Sequence, residues 1–156
     1  MTTTGSFSWP VRVQYDDTDA QGRVFYANYF PLIDQARCAF WESLGLTTAE
    51  VVQVEHDTVI VHLEADYHGP AGFYDLLQVA VQPQVLGRSS LHLAYRVVHE
   101  RTGQEIMTAR MVMVQVDLAS ETSRPWSAAF RDTIIRHAGP HIIKREKGEG
   151  RREKGG

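Results

Sequence analysis

Beyond Gly45 the apolar residues fall into a period of two and hold it as far as residue 117. Residues 58–67 (TVIVHLEADY) put Val59, Val61, Leu63, Ala65 and Tyr67 on one face, the pattern of a half-buried strand. Residues 75–86 follow, then 90–99 with Leu91, Leu93, Tyr95 and Val97 in phase, then 105–117 with Val112, Val114 and Val116 in phase. The links between them, Gly69-Pro70-Ala71-Gly72, Gly87-Arg88-Ser89 and Thr102-Gly103, are short, which predicts antiparallel hairpin neighbours. A sheet of this kind must cover its apolar face.

One long helix is available to do so. From about Ala27 to Leu44, residues Tyr29, Phe30, Ile33, Ala36, Phe40, Trp41 and Leu44 share one broad face at about 100° per residue. Pro31 fits the first turn, and Gly45 is placed to stop the helix. Ahead of it, residues 7–15 (FSWPVRVQY) carry Val11, Val13 and Tyr15 at alternate positions, with Pro10 pointing to an edge strand. Pro125 opens a final short helical pattern through Trp126, Phe130, Ile134 and Ile135. The order strand, long helix, four long strands, short helix predicts one α+β domain over residues 1–143, its sheet of about five strands curled around the helix. The uncovered face and edges favour oligomerisation.

Length and composition agree. A chain of 156 residues, 43% hydrophobic and 22% charged, can bury a core without staples and is neither a disordered nor a membrane-spanning composition. Cys38, the single cysteine, excludes an intrachain disulfide, and the opening MTTTGSFSWP has no readable signal; both suit a cytoplasmic setting. Residues 1–143 carry 10 basic and 16 acidic residues, a formal −6, which argues against nucleic-acid binding by the folded part. The segment 144–156 (KREKGEGRREKGG) has no apolar residue and reads as a charged, disordered, solubilising tail.

The densest polar cluster outside the tail is Asp16-Asp17-Thr18-Asp19, followed by Gly22 and the helix start. A loop feeding a helix N-terminus offers unpaired N–H groups and the positive end of the dipole, an arrangement suited to an oxyanion beside a carboxylate. The same residues also serve as ordinary turn and cap formers. Cys38 reads as a packing residue more than a nucleophile. Arg37, on the apolar helix face, calls for a carboxylate partner or a snorkelling path. His62, Glu64, Asp66 and His68 alternate on a strand face; a polar face needs no metal, and none is expected. Serine-hydrolase, P-loop and Rossmann glycine patterns are absent from the sequence.

The run YDDTDAQGRVFYANYFPLIDQAR, Tyr15 to Arg37, resembles the signature of the 4-hydroxybenzoyl-CoA-type acyl-CoA thioesterases. The matching positions are Asp19, Gly22, Val24, Phe25, Tyr26, Asn28 and Tyr29, and the likeness continues through DYHGPAGFYDLLQV, LGRSS and VQVD, over roughly residues 8–130. It implies a hotdog fold and hydrolysis of an acyl-CoA without a cofactor, coenzyme A being part of the substrate. By the same likeness Asp19 is the catalytic carboxylate, as nucleophile or base, and the Tyr26 backbone N–H the oxyanion donor. Gly22, Phe25, Asn28, Tyr29, Arg88 and Ser89 become substrate-binding positions, Arg88 as a phosphate or pantetheine contact or else a solvated turn residue. Tyr67-His68-Gly69-Pro70-Ala71-Gly72 lacks the arginines common at that point, so the nucleotide end would be held differently. The likeness further implies a homodimer or dimer of dimers with a shared site, without membrane insertion. The alternatives are a non-catalytic acyl-thioester binding module and a hydroxyacyl-thioester dehydratase.

Overall fold

A computed structural model describes residues 6–145. The elements run β1 (Ser8–Arg12), α1 (Tyr29–Ser43), α2 (Thr48–His56), β2 (Thr58–Tyr67), β3 (Leu76–Leu86), β4 (Ser90–His99), β5 (Glu105–Asp117), β6 (Thr122–Ser123) and α3 (Ala128–Ala138). The sheet order is β1-β3-β4-β5-β2, all antiparallel, with β6 pairing the end of β5. The five-stranded sheet around one long helix is the expected architecture. Helix α1 lays Tyr29, Leu32, Ile33, Ala36, Phe40 and Trp41 on the sheet, against Leu77, Val79, Val81, Leu91, Leu93 and Tyr95 among others. Gly45 ends it at φ +96°, a conformation that favours glycine, and its N–H donates to Glu42 O at 2.9 Å. The expected side-chain alternation in β4 is kept along its whole length, since Leu91, Leu93, Tyr95 and Val97 are all buried.

Several details depart from the sequence reading. First, residues 48–56 are a helix and no part of an alternating run. Thr47 caps it, accepting from Glu50 N–H at 3.2 Å while the Glu50 carboxylate takes the Thr47 N–H at 3.3 Å. Second, β2 and β3 are consecutive but not neighbours. Their link carries the chain across the sheet, and β2 pairs with β5 as an edge. Third, β5 buries Met107, Ala109, Met111 and Met113, which puts the in-phase valines 112, 114 and 116 on the other face. Flexible thioether side chains fill the irregular space under the helix, and the β-branched residues take the outer pleat. Fourth, a register shift between Ile60 and His62 sets Ile60 opposite Met113 and Leu63 opposite Met111, so Val59 leaves the face it shares by count with Leu63. Tyr15 also leaves its strand: it opens a 3-10 turn, Tyr15–Asp17, and is exposed.

Pro10 lies in β1, which is an edge strand of five residues, as its lost N–H requires. Helix α3 starts at Ala128 under a Ser127 cap, three residues after Pro125, and Trp126 buries itself beneath the β3–β4 turn. Lys144 N–H donates to Leu86 O at 2.8 Å, and the remainder of the tail from 146 lies outside the described residues.

Candidate active site

The loop between β1 and α1 is held by its own backbone. Asp19 N–H donates to Arg23 O (2.8 Å) and Gly22 N–H to Asp19 O (3.0 Å), closing a tight turn that puts Gly22 at φ +74°. One carboxylate oxygen of Asp19 accepts from Gln21 N–H at 2.8 Å and more distantly from Arg23 N–H at 3.4 Å. The other has no hydrogen bond among the described residues. Asp19 is exposed and lines a cavity of about 520 Å³ with Tyr15, Thr18, Gly22 and Phe73. A carboxylate with one oxygen tethered and the other open is aimed without being neutralised.

The neighbouring aspartates do different work. Asp17 caps its own 3-10 turn, its Oδ2 accepting from Gln14 N–H at 2.7 Å. Its carbonyl accepts twice, from Phe25 N–H at 3.0 Å and from the Asn28 side-chain amide at 2.9 Å. Asn28 therefore ties the aspartate loop to the helix entrance, a positioning role in this chain.

Tyr26 opens the 3-10 turn Tyr26–Asn28 that leads directly into α1. Its N–H has no acceptor among the described residues, as the geometry of a first-turn donor dictates. Its carbonyl accepts from the Tyr67 hydroxyl at 2.7 Å, across from the end of β2. Sequence periodicity marks Tyr67 only as a strand residue; that it clamps the helix entrance is a consequence of the fold. Phe25 is partly exposed with its ring 4.6 Å from that of Tyr26, while Tyr29 is buried, its ring 5.7 Å from Tyr67 and its phenol pushed up to about 12 by burial.

Arg88 and Ser89 are elsewhere in the protomer. The Asp19 loop is bonded to the start of β3 through Phe73 N–H to Gly22 O (3.1 Å) and Val24 N–H to Ala71 O (2.9 Å), whereas Arg88 follows the end of β3. Eleven strand residues at about 3.3 Å each separate the two by about 35 Å along the strand.

Three other sequence features resolve into packing. Arg37 is buried and donates to Asp34 at 2.8 Å and Glu55 at 2.8 Å; burial works against its charge, but Glu55 more than offsets that and holds it protonated. Cys38 sits beside Glu55 at 3.4 Å, and burial and then that carboxylate push its thiol up to about 11. At pH 8 only about one molecule in a thousand then carries the thiolate, so iodoacetamide should leave the native protein unlabelled while modifying the urea-unfolded chain. Labelling at equal rates would show that Cys38 is more open than this. On the outer sheet face His62 stands 3.6 Å from Glu64, and His68 3.3 Å from Glu105; among the described residues no three such groups converge as a metal site.

The family model of the Thioesterase superfamily matches residues 21–106, more than half of the chain. The chain belongs to this superfamily. Among its relatives, the acyl-CoA thioester hydrolase YbgC of Escherichia coli O6:H1 is 30% identical over 96 residues, 62% of this chain and 72% of the relative. A 1,4-dihydroxy-2-naphthoyl-CoA hydrolase of Synechococcus elongatus is 26% identical, over 78% of this chain and 90% of its own. The fold matches that of a solved 1,4-dihydroxy-2-naphthoyl-CoA thioesterase from Synechocystis with a TM-score of 0.75 at 21% identity, over 83% of this chain and 96% of the other. The superfamily's hotdog, a curled antiparallel sheet with a long central helix, is the fold described above. The family match begins two residues after Asp19, so the case for that carboxylate is made by the geometry around it.

Proposed function

We propose that the chain hydrolyses acyl-CoA thioesters at a site made by Asp19 and the Tyr26 backbone N–H. The observation that carries this reading is their shared frame: the Asp17 carbonyl accepts from Phe25 and Asn28, so the loop bearing Asp19 is bonded directly to the turn presenting Tyr26 N–H. A thioester has little amide-like resonance, and one carboxylate with one preorganised donor at a helix N-terminus is adequate machinery. With Asp19 as base, water attacks the carbonyl carbon and gives its proton to the carboxylate. Tyr26 N–H holds the oxyanion, and collapse expels the CoA thiolate, which recovers the proton from Asp19. With Asp19 as nucleophile, an anhydride forms as the thiolate leaves, and water then cleaves it at the Asp19 carbonyl, which releases the acid with the original carboxylate oxygen. Single turnover in labelled water separates the routes, since only the second leaves the label in Asp19. No metal or cofactor enters either route.

The site is completed by a second copy. Of the two sheet edges, β1 is short and carries Pro10, while β2 is ten residues long and has no proline. On β2 Val59, Ile60, Val61, Leu63 and Tyr67 are between 38% and 58% exposed. Antiparallel pairing of β2 with its copy, about a two-fold near His62, covers these residues and extends the sheet. The same operation brings the Tyr67 and Tyr26 end of one protomer to the Thr58 end of the other. Thr58 lies opposite Gln115, whose N–H bonds Ser89 O at 2.8 Å, so Arg88 and Ser89 of each protomer approach the other's Asp19. Two such dimers pairing through their outer faces would give a tetramer. The substrate-binding roles of Gly22, Phe25 and Tyr29 follow from their place at this junction.

The test is a panel of acyl-CoAs with a thiol reagent: release of free CoA is expected, and binding without release would identify a binding module. A finer test is Tyr67→Phe, which removes one hydrogen bond to the Tyr26 carbonyl. It should lower kcat about fivefold with KM little changed, the worth of one hydrogen bond of about 1 kcal/mol. An unchanged kcat would mean that the turn holds without it.

A further inference from the structure

The turn over residues 72–75, which leads into β3, holds a tyrosine where such a turn favours glycine. Asp75 N–H donates to Gly72 O at 3.2 Å, and the third residue, Tyr74, stands at φ +69°. Turns with positive φ at that position take Gly or Asn, because a Cβ in the left-handed region crowds the carbonyl that follows. An aromatic residue stays there only where its surroundings force the conformation. They do so here. Tyr74 N–H donates to Val13 O at 3.1 Å and Val13 N–H to Asp75 O at 2.9 Å, which stitches the turn to the chain just after β1. Arg12 acts twice: its guanidinium donates to Tyr74 O at 3.0 Å and lies 4.7 Å from the centre of the Tyr74 ring. Among the described residues Arg12 makes no ion pair, so its charge is directed at Tyr74. One other described non-glycine has positive φ, Glu121 at +57°, in the exposed link between β5 and β6.

The same turn braces the loop that carries Asp19. Its second residue, Phe73, donates its N–H to Gly22 O at 3.1 Å, and Gly72 pairs with Arg23 as an isolated bridge. Gly22 N–H in turn donates to Asp19 O at 3.0 Å. The Phe73 ring lines the Asp19 cavity and meets Tyr15 edge-on, their centroids 6.0 Å apart. Asp75 secures the far end of the turn: its Oδ2 accepts from Gly72 N–H at 2.8 Å, and its Oδ1 stands 3.5 Å from His99 Nε2. A glycine at position 74 would adopt this turn without strain, and it would also leave it freely. Tyrosine, pinned between Arg12 and Val13, cannot rotate without losing the guanidinium contact and the bond to Val13 O.

We propose that Tyr74 is a positioning residue for hydrolysis: locked by Arg12, it fixes the Phe73 N–H that holds the Gly22 carbonyl, and so keeps the Asp19 carboxylate aimed. The inference rests on the thioesterase reading for what Asp19 does, while the lock stands on its own geometry. A carboxylate that must reach a carbonyl carbon or a water within hydrogen-bond distance loses rate when its loop wanders, even with its chemistry intact. Strain at Tyr74 is then the counterpart of rigidity at Asp19. If the tyrosine served the fold alone, relieving its strain would leave turnover untouched.

Tyr74→Asn tests the lock, since asparagine tolerates the left-handed region and lacks the ring. Hydrolysis of an acyl-CoA should show kcat lowered about tenfold with KM little changed, the pattern of lost aim rather than lost binding. Amide exchange followed by NMR reads the lock without any hydrolysis. The Phe73 and Gly22 amides should exchange about tenfold faster than in the wild type, while those of β4 exchange as before. Tyr74→Phe keeps a ring over Arg12 and should restore both readouts to within about twofold. Glu121→Asn relieves the same kind of strain away from the Asp19 loop and should change neither. An unchanged kcat in Tyr74→Asn overturns the proposal, as does faster exchange spread equally over β4, or Tyr74→Phe as impaired as Tyr74→Asn. If no acyl-CoA releases CoA from the wild type while the exchange rates move as expected, the hydrolytic reading fails and the lock stands.

Discussion

Asp19→Asn should lower kcat by about 10²–10⁴-fold, the usual range for loss of a positioned general base, while thermal unfolding stays near wild type. Asparagine keeps the size of the side chain and an oxygen able to accept from Gln21 N–H, so the turn from Asp19 to Arg23 has no reason to open. What is lost is the charge that attacks carbon or takes a proton from water. Asp17→Asn is the informative control. Its side chain caps the turn through Gln14 N–H, and its carbonyl, which binds Phe25 and Asn28, is untouched by the substitution. A stability cost of up to about 1 kcal/mol with kcat within a few-fold is expected, and Asp16→Asn should be milder still. Should Asp17→Asn be the inactive variant and Asp19→Asn the active one, the chemistry belongs to the capping residue and the proposed site is misplaced by two positions.

The contrast between these aspartates shows how far the sequence could be read. That an acidic loop precedes a helix start was visible in the spacing from Asp16 to Asn28, and so was the helix, because Tyr29, Ile33, Ala36 and Phe40 repeat without interruption. The strands were legible to within a residue where alternation is clean, as in 58–67 and 90–99. Helix α2 lies inside the stretch read as period two, and its local signal is the capping box that Thr47 and Glu50 form three residues apart. The bulge at Ile60–His62 and the burial of the β5 methionines are set by packing under the helix, which no local period encodes. The candidate site shows the same division. That Asp19 to Asn28 share one loop at the helix entrance is legible in their order, because the backbone joins them. The place of Tyr67 depends on the crossover between β2 and β3.

That crossover also decides the second large effect. By making β2 an edge, it leaves a ten-residue strand without a partner on one side, and Val61, at the bulge, is 58% exposed. Val61→Glu should give a monomer with hydrolysis reduced about 100-fold or more. In an isolated protomer the substitution is a surface change worth within about 0.5 kcal/mol, so the domain itself should fold. In the paired sheet two glutamates meet near the two-fold, where like charges directly opposite one another oppose pairing. Light scattering at micromolar concentration should place the wild type at twice the 17.6 kDa of one chain, or a multiple of that, and the variant at 17.6 kDa. The loss of activity is expected from the proposed shared site, in which Asp19 and Arg88, about 35 Å apart along one chain, come together between chains. Circular dichroism with native-like helix and sheet signals in the variant would separate loss of pairing from loss of fold. A wild-type chain that turns over acyl-CoA at full rate as a 17.6 kDa monomer would overturn the shared site, because one protomer would then hold both ends of its substrate.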